Sequence, residues 1–301
     1  MAIQTINGIS FEMRETHDFT FLHKYGQVFC VFAQNDSGNI SFGLDNGKNK
    51  YFVKVAGAKT AAALTDTREA VEILKTSASV YTDLAHPHLI RQIEHFAHKD
   101  LYAAVFGWSD GECLFDYWNF ETYKDNSELS PRERFKNLSC AKRLHAFDAI
   151  FDFLTFTELK GYVAVDFYDG SIMYDFRRDI VTICDIDFFR KSPAINDMGE
   201  NFWGTKRLKS PEEYVGGAVI DTVTNVFTLG ALLFHFFGGY TDDEIGKMYR
   251  ENAFSPCGYE RWELSESLYR TALKAVNRDR AHRYDSMTAF YEAWRANQAA
   301  Q

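Results

Sequence analysis

Two aspartates carry the chemistry this chain could do. Asp166 sits in the stretch Val163-Ala164-Val165-Asp166-Phe167-Tyr168-Asp169-Gly170-Ser171, and Asp185 ends the short apolar run Ile180-Val181-Thr182-Ile183-Cys184. A hairpin-like stretch separates them. A loop carboxylate followed by a strand-end carboxylate suits phosphoryl transfer: one accepts the proton of an attacking hydroxyl, and the other holds the metal ion that neutralises phosphate charge. Loops are rich in aspartate, so the pair gains meaning only from what surrounds it.

The elements around the pair fall into two groups. The first hundred residues predict strands and one helix. Val28 to Phe32 is an apolar run, Asn35-Asp36-Ser37-Gly38-Asn39 is a turn, and Ile40 to Leu44 alternates. Asn46-Gly47 marks a hairpin, with Tyr51 to Val55 as the third antiparallel strand. Asp66 with Glu69 resembles a capping box, and Val71, Leu74, Ala78, Tyr81 and Leu84 make one apolar helical face that ends at His86-Pro87. Two more strands follow, near Ile90 to Phe96 and Leu101 to Phe106, and Trp108 to Glu112 reads as a linker.

The second group is helical. Ser130-Pro131-Arg132-Glu133 caps a single long helix that runs to Leu159 and stops at Gly161. Asn225 to Phe237 is a buried helix by composition, and Glu263 to Asn277 and Ser286 to Ala296 are amphipathic helices. The expected fold class is therefore α+β: a β-rich lobe over residues 1–107 and a helical lobe over 108–301, together one domain.

Composition narrows the partners. The chain has 301 residues, 46% of them hydrophobic, with 27 phenylalanines, enough for a large aromatic core. A formal net charge of -9 argues against nucleic acid as the main partner. Cys30, Cys113, Cys140, Cys184 and Cys257 are scattered without a CxxC pair, which predicts reduced thiols rather than zinc or disulfides. His86, His88, His95 and His98 cluster without helical ligand spacing. No apolar signal core opens the chain, and the run Val226 to Phe237 is too short to span a bilayer, so a cytoplasmic protein with no membrane partner is expected.

In this order the motifs resemble the catalytic domain of the eukaryotic-type Ser/Thr protein kinases, over about residues 20–295. The resemblance implies a bilobal protein-kinase-like fold, with a small antiparallel N-lobe carrying one helix and a larger, mainly helical C-lobe. It implies ATP and Mg²⁺ as ligands and a protein hydroxyl as acceptor. Lys54, in Tyr51-Phe52-Val53-Lys54-Val55, takes the place of the lysine on the α- and β-phosphates. Glu72 follows where the family has its partner glutamate; Glu69 competes for that role unless Asp66 engages it in capping. Ala164-Val165-Asp166 stands for His-Arg-Asp, which makes Asp166 the base. Asp185-Ile186-Asp187 stands for Asp-Phe-Gly, which makes Asp185 the Mg²⁺ ligand. Gly38 falls in the nucleotide-covering loop, Phe106 and Trp108 border the adenine near the hinge, and Met173 forms its floor. Asp110 and Glu112 could reach the ribose or be plain linker.

Three later segments match the family's scaffold. Gly204-Thr205-Lys206-Arg207-Leu208-Lys209-Ser210-Pro211-Glu212 resembles Gly-Thr-x-x-Tyr-x-Ala-Pro-Glu. Asn225 to Gly230 resembles Asp-x-x-x-Leu-Gly, and Arg278 to Tyr284 resembles the segment whose arginine pairs with the Pro-Glu glutamate. A buried Glu212–Arg283 ion pair is expected.

The departures bear on activity. The covering loop, Asp36-Ser37-Gly38-Asn39, has one glycine, with Gly43 further on. Phe52 replaces a small alanine above the adenine. Ser171 replaces a metal-binding Asn, and Asp187 replaces a glycine and could restore a metal ligand. Asn225 replaces an aspartate that anchors the catalytic loop. Val165 replaces the arginine that grips an activation-loop phosphate, so phosphorylation of Ser192 or Thr205 has no receiver. Beside the active kinase stand two other readings: a pseudokinase that binds nucleotide or a protein partner, and a small-molecule kinase of the aminoglycoside type.

Overall fold

The computed structural model describes residues 1–34, 37–116, 119–123 and 126–299, the side chains of Phe120, Glu121 and Asp242 excepted. Asn35 and Asp36, part of the expected turn and covering loop, lie outside the described residues. The fold is α+β, and its contacts divide it into two units, Met1–Asp110 and Gly111–Gln301.

The first unit begins with strands β1 (Ala2–Ile6) and β2 (Ile9–Met13), an antiparallel hairpin turned by Asn7 and Gly8, both at positive φ. A five-stranded antiparallel sheet follows, built from β3 (Gln27–Phe32), β4 (Asn39–Asp45), β5 (Lys50–Ala56), β6 (Gln92–His98) and β7 (Leu101–Gly107) in the order β3-β4-β5-β7-β6. The alternation in β4 is the cause of one core. Ile40, Phe42 and Leu44 face the same side as Val53, Val55, Ala103 and Val105. Phe11, Met13, Phe19, Leu22 and Tyr25 from the N-terminal segment cover that side. Helix α1 (Thr67–Asp83) packs against β5, β6 and β7, with the Tyr81 ring 4.8 Å from that of Phe106. Asp66 caps it, accepting from the N–H groups of Arg68 and Glu69 at 2.9 and 3.4 Å.

The second unit opens with β8 (Glu112–Cys113) and the short α2 (Phe120–Tyr123). The single long helix expected from Ser130 to Leu159 is two helices, α3 (Pro131–Lys136) and α4 (Cys140–Leu159). Ser139 is the reason for the break. Its hydroxyl accepts from Lys142 N–H and starts a new helix, while Arg143 donates to the Leu138 carbonyl that the break exposes. Next come β9 (Tyr162–Val163), β10 (Ile172–Asp175), β11 (Ile180–Ile183), β12 (Arg190–Lys191), β13 (Ala194–Ile195) and β14 (Val219–Ile220).

Four helices complete the unit: α5 (Thr222–Phe237), α6 (Asp242–Glu251), α7 (Glu266–Ala275) and α8 (Met287–Gln298). Every residue of α5 from Thr224 onward is buried, and α3, α7 and α8 pack around it. Aromatic rings seal the α3–α5 contact, with Phe135 5.0 Å from Phe236, and the α4–α8 contact, with Phe151 5.0 Å from Phe290. Glu212 and Arg283 form the expected ion pair, two-pronged at 2.7 and 3.0 Å and buried. Among the described residues, no helix is long and apolar enough to cross a membrane.

Candidate active site

In the second unit, two pieces of backbone hold Asp166 and Asp185. β9, just before Asp166, pairs with β12, just after Asp185. The β10–β11 hairpin joins the far ends of the two loops, and the Ser171 carbonyl accepts from Cys184 N–H at 2.9 Å. Asn225 of the buried α5 fixes the near end. Its amide accepts from Ala164 N–H at 2.7 Å and donates to the Ala164 carbonyl at 2.8 Å. Asp166 and Asp185 both sit at positive φ, 60° and 54°. Few side chains tolerate this region, and aspartate is one of them.

Asp166 is the perturbed group of the site. Burial pushes its pKa up to about 8, and the nearby carboxylates of Asp185, Glu213 and Asp187 add to the rise against the pull of Lys209. Those causes place Asp166 in the field of four charged neighbours. Ala164, Asp166, Gly204, Thr205, Lys209 and Glu213 border a depression of about 10 Å³, room for about one water. Glu213 is itself buried and raised to about 7, chiefly by desolvation, although Ser210 donates to it from both backbone and hydroxyl. Lys209 donates to the Phe202 carbonyl at 2.6 Å, and burial lowers its pKa. Tyr168 stays a protonated phenol: burial raises its pKa far above the usual range, and Asp185 and Asp166 push in the same direction.

The other expected residues of this unit have these places. Ser171 is fully buried, and its hydroxyl donates to the Asp166 carbonyl at 3.5 Å, a long bond within the loop itself. Asp187 is buried beside the same loop. Met173 lies in β10 between Cys113 and Thr182. Glu112 pairs with Arg134 at 2.7 and 3.0 Å in an exposed salt bridge. Val165 is buried and offers no cation.

In the first unit, Lys54 is buried on β5, cross-strand from Ser41 and Ala104. Phe52 shares its face, set between Gly43 and Phe106, and its ring lies 6.2 Å from Phe32 and 6.4 Å from Phe106. Gly43 has no room for a side chain, because a Cβ there would meet Cys30, Phe29 and Trp108 within 3 Å. Trp108 stands edge-on to Phe29 at 4.9 Å. Gly38, at φ 77°, packs near Thr65 and Ala70 at the start of α1. The expected Lys54–Glu72 pair is corrected: the Glu72 carboxylate is 69% exposed and lies 3.7 Å from Lys75, its neighbour one helical turn on. Glu69 is exposed as well, and its backbone rather than its carboxylate serves the cap.

Lys209, Glu213 and Tyr168 escaped sequence reasoning. The segment Gly204 to Glu212 reads as scaffold, and the visible sign was a lysine between two apolar or small positions, Leu208 and Ser210. Among the described residues no group of three or more His, Cys, Asp or Glu side chains converges on one point. Mg²⁺ is ordinarily held by one or two carboxylates together with substrate phosphates and water, a demand that Asp185 and Asp187 can meet. Searches against models of known protein families and against curated proteins gave no match for this chain.

Proposed function

We propose that this chain is an ATP-dependent phosphotransferase of protein-kinase-like fold, whose two units correspond to the N- and C-lobes and which phosphorylates a Ser or Thr hydroxyl of a protein. Asp166 orients the acceptor hydroxyl and takes its proton, Asp185 with Asp187 holds Mg²⁺, and Lys54 contacts the phosphates. The bound metal supplies charge neutralisation at the phosphates. None of the five cysteines is in a disulfide, which accords with a reducing, cytoplasmic setting.

One observation carries the reading: a carboxyl raised in pKa first by burial and then by the Asp185 carboxylate on the adjoining strand end, in a loop anchored to the central helix. A base buried in this way works only when ionised. A cation on Asp185 would cancel the part of the rise that its repulsion adds, so metal loading and base activation are coupled by sign. The test is γ-phosphate transfer from Mg-ATP to generic protein acceptors, comparing wild type with Asp166→Asn. Transfer by wild type and its loss in the variant support the enzyme; equal signal in both removes it.

The pseudokinase reading is favoured by the first unit. The Glu72 carboxylate is exposed and sits beside Lys75, and Phe52 occupies the strand face that carries Lys54. Thermal shift with ATP, with and without Mg²⁺, singles out the nucleotide-free form of this reading, because a module that does not bind nucleotide shows no shift in either condition.

A further inference from the structure

The second unit holds a cavity of about 460 Å³ distinct from the Asp166 depression. Three consecutive residues divide the two spaces. Arg207 lines the cavity, Lys209 lines the depression, and Leu208 is a wall of both. The remaining walls come from α3, α6 and the segments that flank them and are largely apolar, with Pro131, Ile245, Met248 and Phe254 among them. The volume is that of a small-molecule site and exceeds what one side chain fills.

The charges on the wall decide what the cavity accepts. Arg207 forms a buried ion pair with Asp169. Arg132 is paired with Glu133 at 2.6 Å and donates its Nε–H to His235 at 3.0 Å. The Asp116 carboxylate accepts from the Tyr123 hydroxyl at 3.0 Å. Both arginines therefore already have their counter-ions, while Asp116 accepts only from neutral groups, so an anionic guest would enter a largely apolar space with no cation left to neutralise it. Arg132 keeps further donors for a guest, because its bonds to His235 and Glu133 use only Nε–H and one Nη1–H of the guanidinium.

We propose that this cavity is a binding site for a largely apolar small molecule that carries no negative charge, with an aromatic or alicyclic body and an acceptor atom that meets Arg132. The proposal does not rest on the phosphotransferase reading, and its test needs neither nucleotide nor acceptor protein.

The probe is N-phenylnaphthylamine, neutral and fluorescent in apolar surroundings, set against anilinonaphthalene sulfonate, which has a related skeleton with a negative charge. Wild type should bind the neutral probe saturably at one site and the sulfonate about tenfold more weakly or worse. Two filling variants test the location: Met248→Trp from the α6 wall, and Ser127→Trp from the exposed rim, where folding is not at risk. Each should weaken the neutral probe by about tenfold or more. Absence of saturable binding, binding unchanged in both variants, or equal affinity for the sulfonate would each overturn the assignment.

Discussion

The Asn225 amide engages both backbone polar groups of Ala164, one as acceptor and one as donor. An aspartate at this position could make only the first bond and would present a buried negative charge to the Ala164 carbonyl. Asn225→Asp should therefore destabilise the protein, by about 1–3 kcal/mol for the stranded carbonyl. Urea unfolding of the two proteins measures it, and a variant as stable as wild type would show that the clasp contributes nothing.

The Glu212–Arg283 pair is buried, and Arg283 also donates to the Asn277, Val223 and Arg278 carbonyls. Arg283→Ala removes the cation beside a buried carboxylate and the donor to three carbonyls, at a cost of about 3–5 kcal/mol. The melting temperature should fall clearly. Arg283→Lys should recover only part, because an ammonium cannot reproduce the two-pronged geometry.

Glu213 makes stability depend on pH. Its folded pKa is raised from 4.5 to about 7, so the native state keeps a proton that the unfolded chain has already lost. The stability it contributes is full below its unfolded pKa and is lost as pH rises through about 7. Denaturant unfolding at about pH 5 and about pH 8 should show a decline on the order of 3 kcal/mol at most from this group. Glu213→Gln, which still accepts from Ser210, should flatten that decline.

Phe52 and Ser192 with Thr205 test the nucleotide reading from two sides. Phe52→Ala opens the face beside Lys54 and should enlarge the thermal shift produced by Mg-ATP. The double variant Ser192→Ala, Thr205→Ala should leave ATP affinity unchanged, since buried Val165 cannot receive a phosphate. A smaller shift in the first, or weakened ATP binding in the second, contradicts the respective claim.

Local signals in the sequence were legible where one residue decides the outcome. Asp66 announces α1, the alternation of Ile40, Phe42 and Leu44 announces a half-buried strand, and Glu212 with Arg283 could be matched by motif. Two turn and cap signals were present and went unread: Asn7-Gly8, which makes the β1–β2 hairpin, and Thr241 with Glu244, a capping box that starts α6. The break before α4 was harder. Ser139 is an ordinary residue inside a helical pattern until its hydroxyl takes the Lys142 N–H. Glu72 shows the deeper limit, since its spacing from Lys54 fits either of two ion pairs and only the packing of α1 chooses Lys75. Lys209 and Glu213 reach Asp166 through tertiary folding alone, which no spacing rule encodes.

The positive φ angles at Asp166 and Asp185 complicate how mutants at these positions are read. Alanine removes the carboxyl and also places a methyl-bearing residue in a conformation it resists, so an alanine scan would mix lost chemistry with a distorted main chain. Asparagine is the cleaner substitution because it tolerates the same twist. Glycine is its complement, relaxing the backbone while deleting the side chain, and the difference between those two replacements isolates what the carboxylates themselves contribute.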